Sequence, residues 1–132
     1  MHELLLARLR ASFPSLFQYQ SDEDLEWSVM SGWYSILYRL CLALSTNPDA
    51  QFFQIKEKFS GLKAYFANAK GKDREHQSMM QNESYLVCEL CGEEGRLATS
   101  GYWHTFCQEC VDTWRANGRE LAWKERPEGL WQ

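Results

Sequence analysis

The sequence lacks any apolar run approaching the roughly 20 residues that span a bilayer, so a membrane-embedded chain is not expected. It has no glycine-rich phosphate loop, no G-x-S-x-G elbow and no H-E-x-x-H pair. The three histidines, His2, His76 and His104, stand in no acid–base motif. These absences argue against an enzyme. Bases are in the minority, 14 Lys and Arg against 18 Asp and Glu, for a formal charge of −4. A general duplex binder needs a clustered basic face to replace phosphate counterions, and this balance does not favour one. No internal repeat or low-complexity segment is present.

The 132 residues are 45% hydrophobic and 14% aromatic. A chain this size buries about two thirds of its extended surface, and disordered regulators lack so many aromatics. One compact domain is therefore the expectation. The opening MHELLLARLR looks superficially like a secretion signal, but Arg8 and Arg10 cut its apolar stretch short. The expectation is a soluble, cytoplasmic protein. In that compartment cysteines bind metal or stay reduced.

Charge is unevenly spread. Residues 1–48 carry a net −2, residues 49–74 a net +3, residues 75–87 a net −2 and residues 88–132 a net −3. The basic stretch contains Lys56, Lys58, Lys63, Lys70, Lys72 and Arg74.

Along the chain, Leu5, Leu6 and Leu9 share one side of a short helix over 3–11, which Pro14 ends. Residues 18–26 are polar and acidic and read as a loop, with Asp22, Glu23 and Asp24 also able to start a helix. Apolar residues recurring at three and four residue steps from Val29 to Leu44 predict a helix over 27–45, stopped by Asn47 and Pro48. Phe53, Ile55, Glu57 and Phe59 then alternate with Gln54, Lys56 and Lys58, and Leu62, Ala64 and Phe66 with Lys63, Tyr65 and Ala67. That is a β-hairpin with one apolar and one lysine-bearing face, turning at Ser60-Gly61. Helical spacing also fits 51–59. A further helix is expected over 73–87.

The strongest signal is Cys88-Glu89-Leu90-Cys91 followed, after 15 intervening residues, by Cys107-Gln108-Glu109-Cys110. Each C-x2-C turn aims two sulfurs at one point, and two such turns close a tetrahedral site suited to Zn²⁺. Gly92 supplies backbone freedom just past the first pair. Four protein ligands leave no coordination position for water, so the expected zinc is structural. With four thiolates and the ion, the formal charge becomes about −6. Iron is the competing metal for four cysteines. His104, three residues before Cys107, is a competing ligand or a neighbour of the site. Cys41 falls in an apolar helical stripe and reads as a core cysteine.

The expected fold class is α+β: N-terminal helices with a β-hairpin over 1–87, a four-cysteine zinc-ribbon subdomain over 88–120 ending in a helix near 108–117, and a tryptophan-containing tail over 121–132. In that tail Trp123 and Trp131 read as interface anchors, since tryptophan is enriched at binding hot spots, or as residues folded back on the domain. Lys56, Lys58, Lys63 and Tyr65 mix charge with an aromatic ring, as a single-strand platform does. A solvated lysine face that protects an edge strand is the favoured reading, given the acidic remainder of the chain. Glu57, on the apolar parity of its strand, is the one oddly placed carboxylate.

Several blocks together resemble small, uncharacterised bacterial and phage-associated proteins with a C-terminal zinc ribbon. They are Gly32-Trp33-Tyr34 with Leu37, Lys56-Glu57-Lys58-Phe59-Ser60-Gly61-Leu62-Lys63 with Tyr65, Cys88-Glu89-Leu90-Cys91-Gly92, Gly95-Arg96-Leu97, and Gly101-Tyr102-Trp103-His104-Thr105-Phe106-Cys107. Ser60 stands where that family more often has glycine, and Cys110 where it often has histidine. The resemblance implies the architecture and a mobile-element or defence setting, and no activity. The functional expectation is a non-catalytic protein-binding module, an acidic inhibitor of a nucleic-acid-handling protein. The alternative is a nucleic-acid-binding accessory or regulatory factor.

Overall fold

The computed structural model describes residues 1–18 and 26–127. It is an α+β structure. Helix α1 (Glu3–Ser12) is capped by the His2 imidazole, which accepts from the Leu4 N–H. Strand β1 (Glu26–Ser28) and a 3-10 turn (Ser31–Trp33) precede helix α2 (Tyr34–Leu44). The hairpin of β2 (Gln51–Lys58) and β3 (Gly61–Ala67) leads to helix α3 (Asp73–Ser84). The C-terminal part has β4 (Arg96–Thr99), β5 (Trp103–Phe106), helix α4 (Gln108–Ala116) and β6 (Ala122–Trp123). Two three-stranded sheets result, in the orders β1-β2-β3 and β5-β4-β6.

The predicted helix over 27–45 is shorter than its apolar stripe. Its first third is extended chain and a 3-10 turn, because 26–28 pairs in parallel with Gln54–Lys56 of β2. The stripe itself is correct from Ile36 on: Ile36, Leu37, Leu40, Cys41 and Leu44 are all buried. They pack against Phe52, Ile55, Leu62, Ala64 and Phe66 of the hairpin to form the main core. Among the described residues, helices therefore cover one face of the first sheet only.

The hairpin forms as its alternation predicts, with two differences. A bulge between Phe52 and Gln54 resets the parity, so Phe52 is buried and Phe53 is exposed. The turn residues are Phe59 and Ser60, at φ 50° and 68°, with Gly61 already paired to Lys58. Positive φ at both central positions gives the twist that a two-residue hairpin needs. Gly61 serves a different purpose: a Cβ there would lie 2.1 Å from the Tyr85 ring.

A smaller core lies under the second sheet, built from Cys88, Ala98, Phe106, Cys107, Val111 and Leu121. Three hydrogen bonds help to join it to the main core. The Gly32 N–H donates to the Glu89 carbonyl at 2.8 Å. The Trp33 Nε1–H donates to the Val87 carbonyl at 2.8 Å. The Thr105 hydroxyl donates to the Ser60 carbonyl at 2.7 Å. Thr105 is fully buried, so Thr105→Val leaves the Ser60 carbonyl without this donor. A loss of about 1–3 kcal/mol in urea unfolding is expected. An unchanged midpoint would mean the two cores barely depend on this contact.

Candidate metal centre and the junction beside it

The first cysteine pair lies in a loop following Val87. The Cys88 N–H donates to the Glu93 carbonyl at 2.7 Å, and the Gly92 N–H returns to the Cys88 carbonyl at 2.9 Å. Gly92 closes this loop at φ 84°, the freedom its position calls for. The second pair spans the start of α4. Cys107 is the helix N-cap, and its sulfur accepts from the Cys110 N–H at 3.4 Å. Here the helix dipole favours negative charge on sulfur.

All four sulfurs lie within 4.8 Å of one another, and those of Cys91 and Cys107 are 3.5 Å apart. A zinc ion with bonds of about 2.3 Å sets its tetrahedral sulfurs about 3.8 Å apart. The four residues thus fit one metal ion without rearrangement of the backbone. Burial pushes the Cys91 and Cys110 thiols up, with neighbouring thiols adding to the rise at Cys110. At Cys107 burial also opposes ionisation, but the Cys110 N–H and the surrounding thiols outweigh it and bring this group down. Sulfurs this crowded lose all their protons only in exchange for a cation. Cys41 is separate: it is fully buried in the main core, where desolvation pushes its thiol far up. It is a packing residue, as its stripe position predicts.

His104 is not part of the sulfur cluster. Its Nδ1 lies 2.9 Å from Glu89 Oε1, and its ring stacks on Phe106 with centroids 4.7 Å apart. Trp114 meets both rings edge-on. Glu89 itself is 5% exposed and also accepts from the Thr105 N–H at 3.3 Å. One residue of the first C-x2-C turn therefore holds the histidine that the sequence leaves as a competing ligand.

The hairpin lysines and Tyr65 come together. Lys56 pairs directly opposite Lys63, and Lys58 shares their side of the hairpin. Tyr65 stacks on Phe53, with centroids 6.2 Å apart, and the Lys56 ammonium lies 5.9 Å from the Tyr65 ring. This is the sheet face that the helices leave open. Burial, then the charge of Lys58, lowers the Lys63 amine.

Trp123 is half-buried. It sits in β6, paired to Ala98, with the Arg96 guanidinium 4.0 Å from its ring. Trp131 lies outside the described residues. The chain beyond β6 is tied back as far as Arg126, which donates to the Ser60 hydroxyl at 2.8 Å and lies over the Tyr85 ring at 4.0 Å.

The structure also assembles a cleft that no motif announces. About 340 Å³ in volume, it is lined by Met1, Ser28, Val29, Met30, Trp33, Glu57, Glu89 and His104. Glu57 Oε1 accepts from the Ser60 N–H at 2.6 Å. Burial raises its carboxyl above the usual range; the Ser60 bond acts against that rise, and the Glu89 charge adds to it. The only hint in the sequence is the misplaced parity of Glu57. The quoted blocks around Gly32, Glu57 to Gly61, Cys88 to Gly92 and Tyr102 to Cys107 all converge on this junction. Comparison with known proteins finds no matching family, no matching curated relative and no matching solved structure. No helix among the described residues is long and apolar enough to cross a membrane.

Proposed function

We propose that the protein is a non-catalytic binding module in which Cys88, Cys91, Cys107 and Cys110 hold a structural Zn²⁺. Its role is to dock onto another protein as an acidic inhibitor of a bacterial nucleic-acid-handling protein, of the phage anti-defence or toxin-immunity kind. A site with four protein ligands keeps no open position for catalysis. The observation that carries the docking reading is an aromatic ridge across the two cores. Phe59, 52% exposed at the hairpin turn, packs edge-on against Trp103 at 5.9 Å, and Tyr102 beside it is 80% exposed. Large exposed rings on a rigid support are what binding hot spots are built from. The chain's net negative charge suits a basic partner and steers its approach.

The second reading, a nucleic-acid-binding accessory factor, draws on the open sheet face with Lys56, Lys58, Lys63 and the Phe53–Tyr65 stack. Backbone phosphates and unstacked bases suit that combination.

One capture experiment separates them. The immobilised protein is exposed to bacterial lysate with and without nuclease, and retained proteins are identified by mass spectrometry. A single protein is expected to survive nuclease treatment and to be lost when Phe59→Asn and Tyr102→Ala are combined. Asparagine tolerates the positive φ of position 59, so the hairpin turn is kept. Loss of every retained species on nuclease treatment would overturn the docking reading in favour of the lysine face.

A further inference from the structure

We infer that the cleft between the two cores is a receptor for one basic side chain of a partner protein, arginine in preference to lysine. The inference deepens the docking reading and rests on it for where that side chain comes from. The cleft's own chemistry sets the ligand class. Its volume, about 340 Å³, is at the small end of ligand pockets and suits a side chain better than a whole cofactor. Trp33, Val29 and Met30 give it apolar walls able to cover an alkyl stem. Its charged groups are the Glu57 and Glu89 carboxylates, with no lysine or arginine in the lining. Met1 is on the wall as well, its ammonium donating to the Val29 carbonyl. Glu89 is paired with His104 and the Met1 ammonium is held by the Val29 carbonyl, so Glu57 is the charge left to meet a cation.

A bound metal is the wrong occupant. Among the described residues only the four cysteines bring their ligand atoms close enough to share an ion. An anion is excluded by the carboxylates. A guanidinium fits best, because its planar fork matches a carboxylate and its face stacks on an aromatic ring, here that of the partly exposed His104. Glu89 is already committed to His104 and Thr105. Glu57, partly exposed and using one oxygen for the Ser60 N–H, is the carboxylate that meets the incoming charge. Proteins that handle nucleic acid present such arginines from their basic grooves, which gives the inhibitor reading a specific point of engagement.

The test needs no partner. The zinc-loaded full chain is titrated with N-acetyl-arginine methylamide, N-acetyl-lysine methylamide and the uncharged citrulline analogue. The Trp33 indole and His104 ring signals are followed by NMR. Saturable shifts of both are expected with the arginine compound, weaker ones with lysine and none with citrulline. Glu57→Gln keeps an oxygen for the Ser60 N–H, so it is expected to fold and hold metal as before. It should weaken arginine binding about tenfold or more, the usual scale for losing a charged hydrogen-bond partner. Absence of saturable shifts, equal binding of citrulline, or unchanged affinity in a folded Glu57→Gln protein would each overturn the inference. None of these results would touch the capture experiment, whose failure counts against the docking reading itself.

Discussion

Replacing Cys88 or Cys107 with serine is expected to unfold the C-terminal part of the chain, from about the first cysteine loop through β6, while α1, α2 and the hairpin persist. The reason is the size of what remains. The second core is small, and two of its buried members, Cys88 and Cys107, are themselves part of the four-cysteine cluster. β4, β5 and β6 are of four, four and two residues, too short to be stable as an isolated sheet. Metal binding in small ribbons of this kind supplies on the order of 10–16 kcal/mol, and the free energy of binding is there the free energy of folding. The main core, by contrast, contains Trp33, Phe52, Phe66 and the α2 stripe and needs no metal to pack. Hydrogen exchange should therefore show amides of 96–123 losing protection in both variants and on chelation, with those of 34–44 retained. Zinc content should fall to none. A variant that stays folded and metal-loaded would refute the four-thiolate assignment.

Gly32→Ala is expected to pull the two parts of the molecule away from each other without removing the metal. A Cβ at position 32 would lie 2.2 Å from the Cys88 carbonyl oxygen and 2.5 Å from the Glu89 carbonyl carbon. Both are backbone atoms of the cysteine loop, so no side chain can swing aside. Relief has to come from separating the 3-10 turn from that loop. This movement breaks the Gly32–Glu89 and Trp33–Val87 hydrogen bonds and opens the cleft. A cost of about 2–4 kcal/mol follows from the overpacking and the two lost bonds. Gly71→Ala is the proper control: φ is 54° there, but nothing lies within 4 Å. Its penalty is the backbone strain alone, about 1 kcal/mol. Equal unfolding midpoints for the two variants would mean the contact at Gly32 does not hold the cores together.

The four-cysteine cluster was the most legible feature of the sequence because its chemistry is local. Two C-x2-C turns form wherever the chain lets them, and the 15-residue spacer needs only β4, β5 and their turn to bring them together. The hairpin was legible for a similar reason, yet its faces were not. Strict alternation puts Phe53 inside, and only the bulge, set by how Phe52 fits the core beside Phe66, puts it outside. The helix over 27–45 was overextended because apolar spacing cannot reveal that 26–28 finds a parallel strand partner far along the chain. Trp123 illustrates the same limit. Its exposure depended on whether a two-residue strand would pair with Ala98 and Thr99. The cleft was least legible of all. Trp33, Glu57, Glu89 and His104 come from four separate elements, and none of them belongs to a motif that implies the others. Glu57 alone stood out, by its parity, and the structure gives that oddity two outlets: the Ser60 N–H and the cleft.

The most direct test of the account is the metal content of the chain as purified under reducing conditions, measured by elemental analysis alongside native mass spectrometry. One zinc per chain, lost together with ribbon folding on chelation, is the predicted result. A folded chain without metal, or a coloured protein carrying iron, would contradict a structural zinc at the four cysteines.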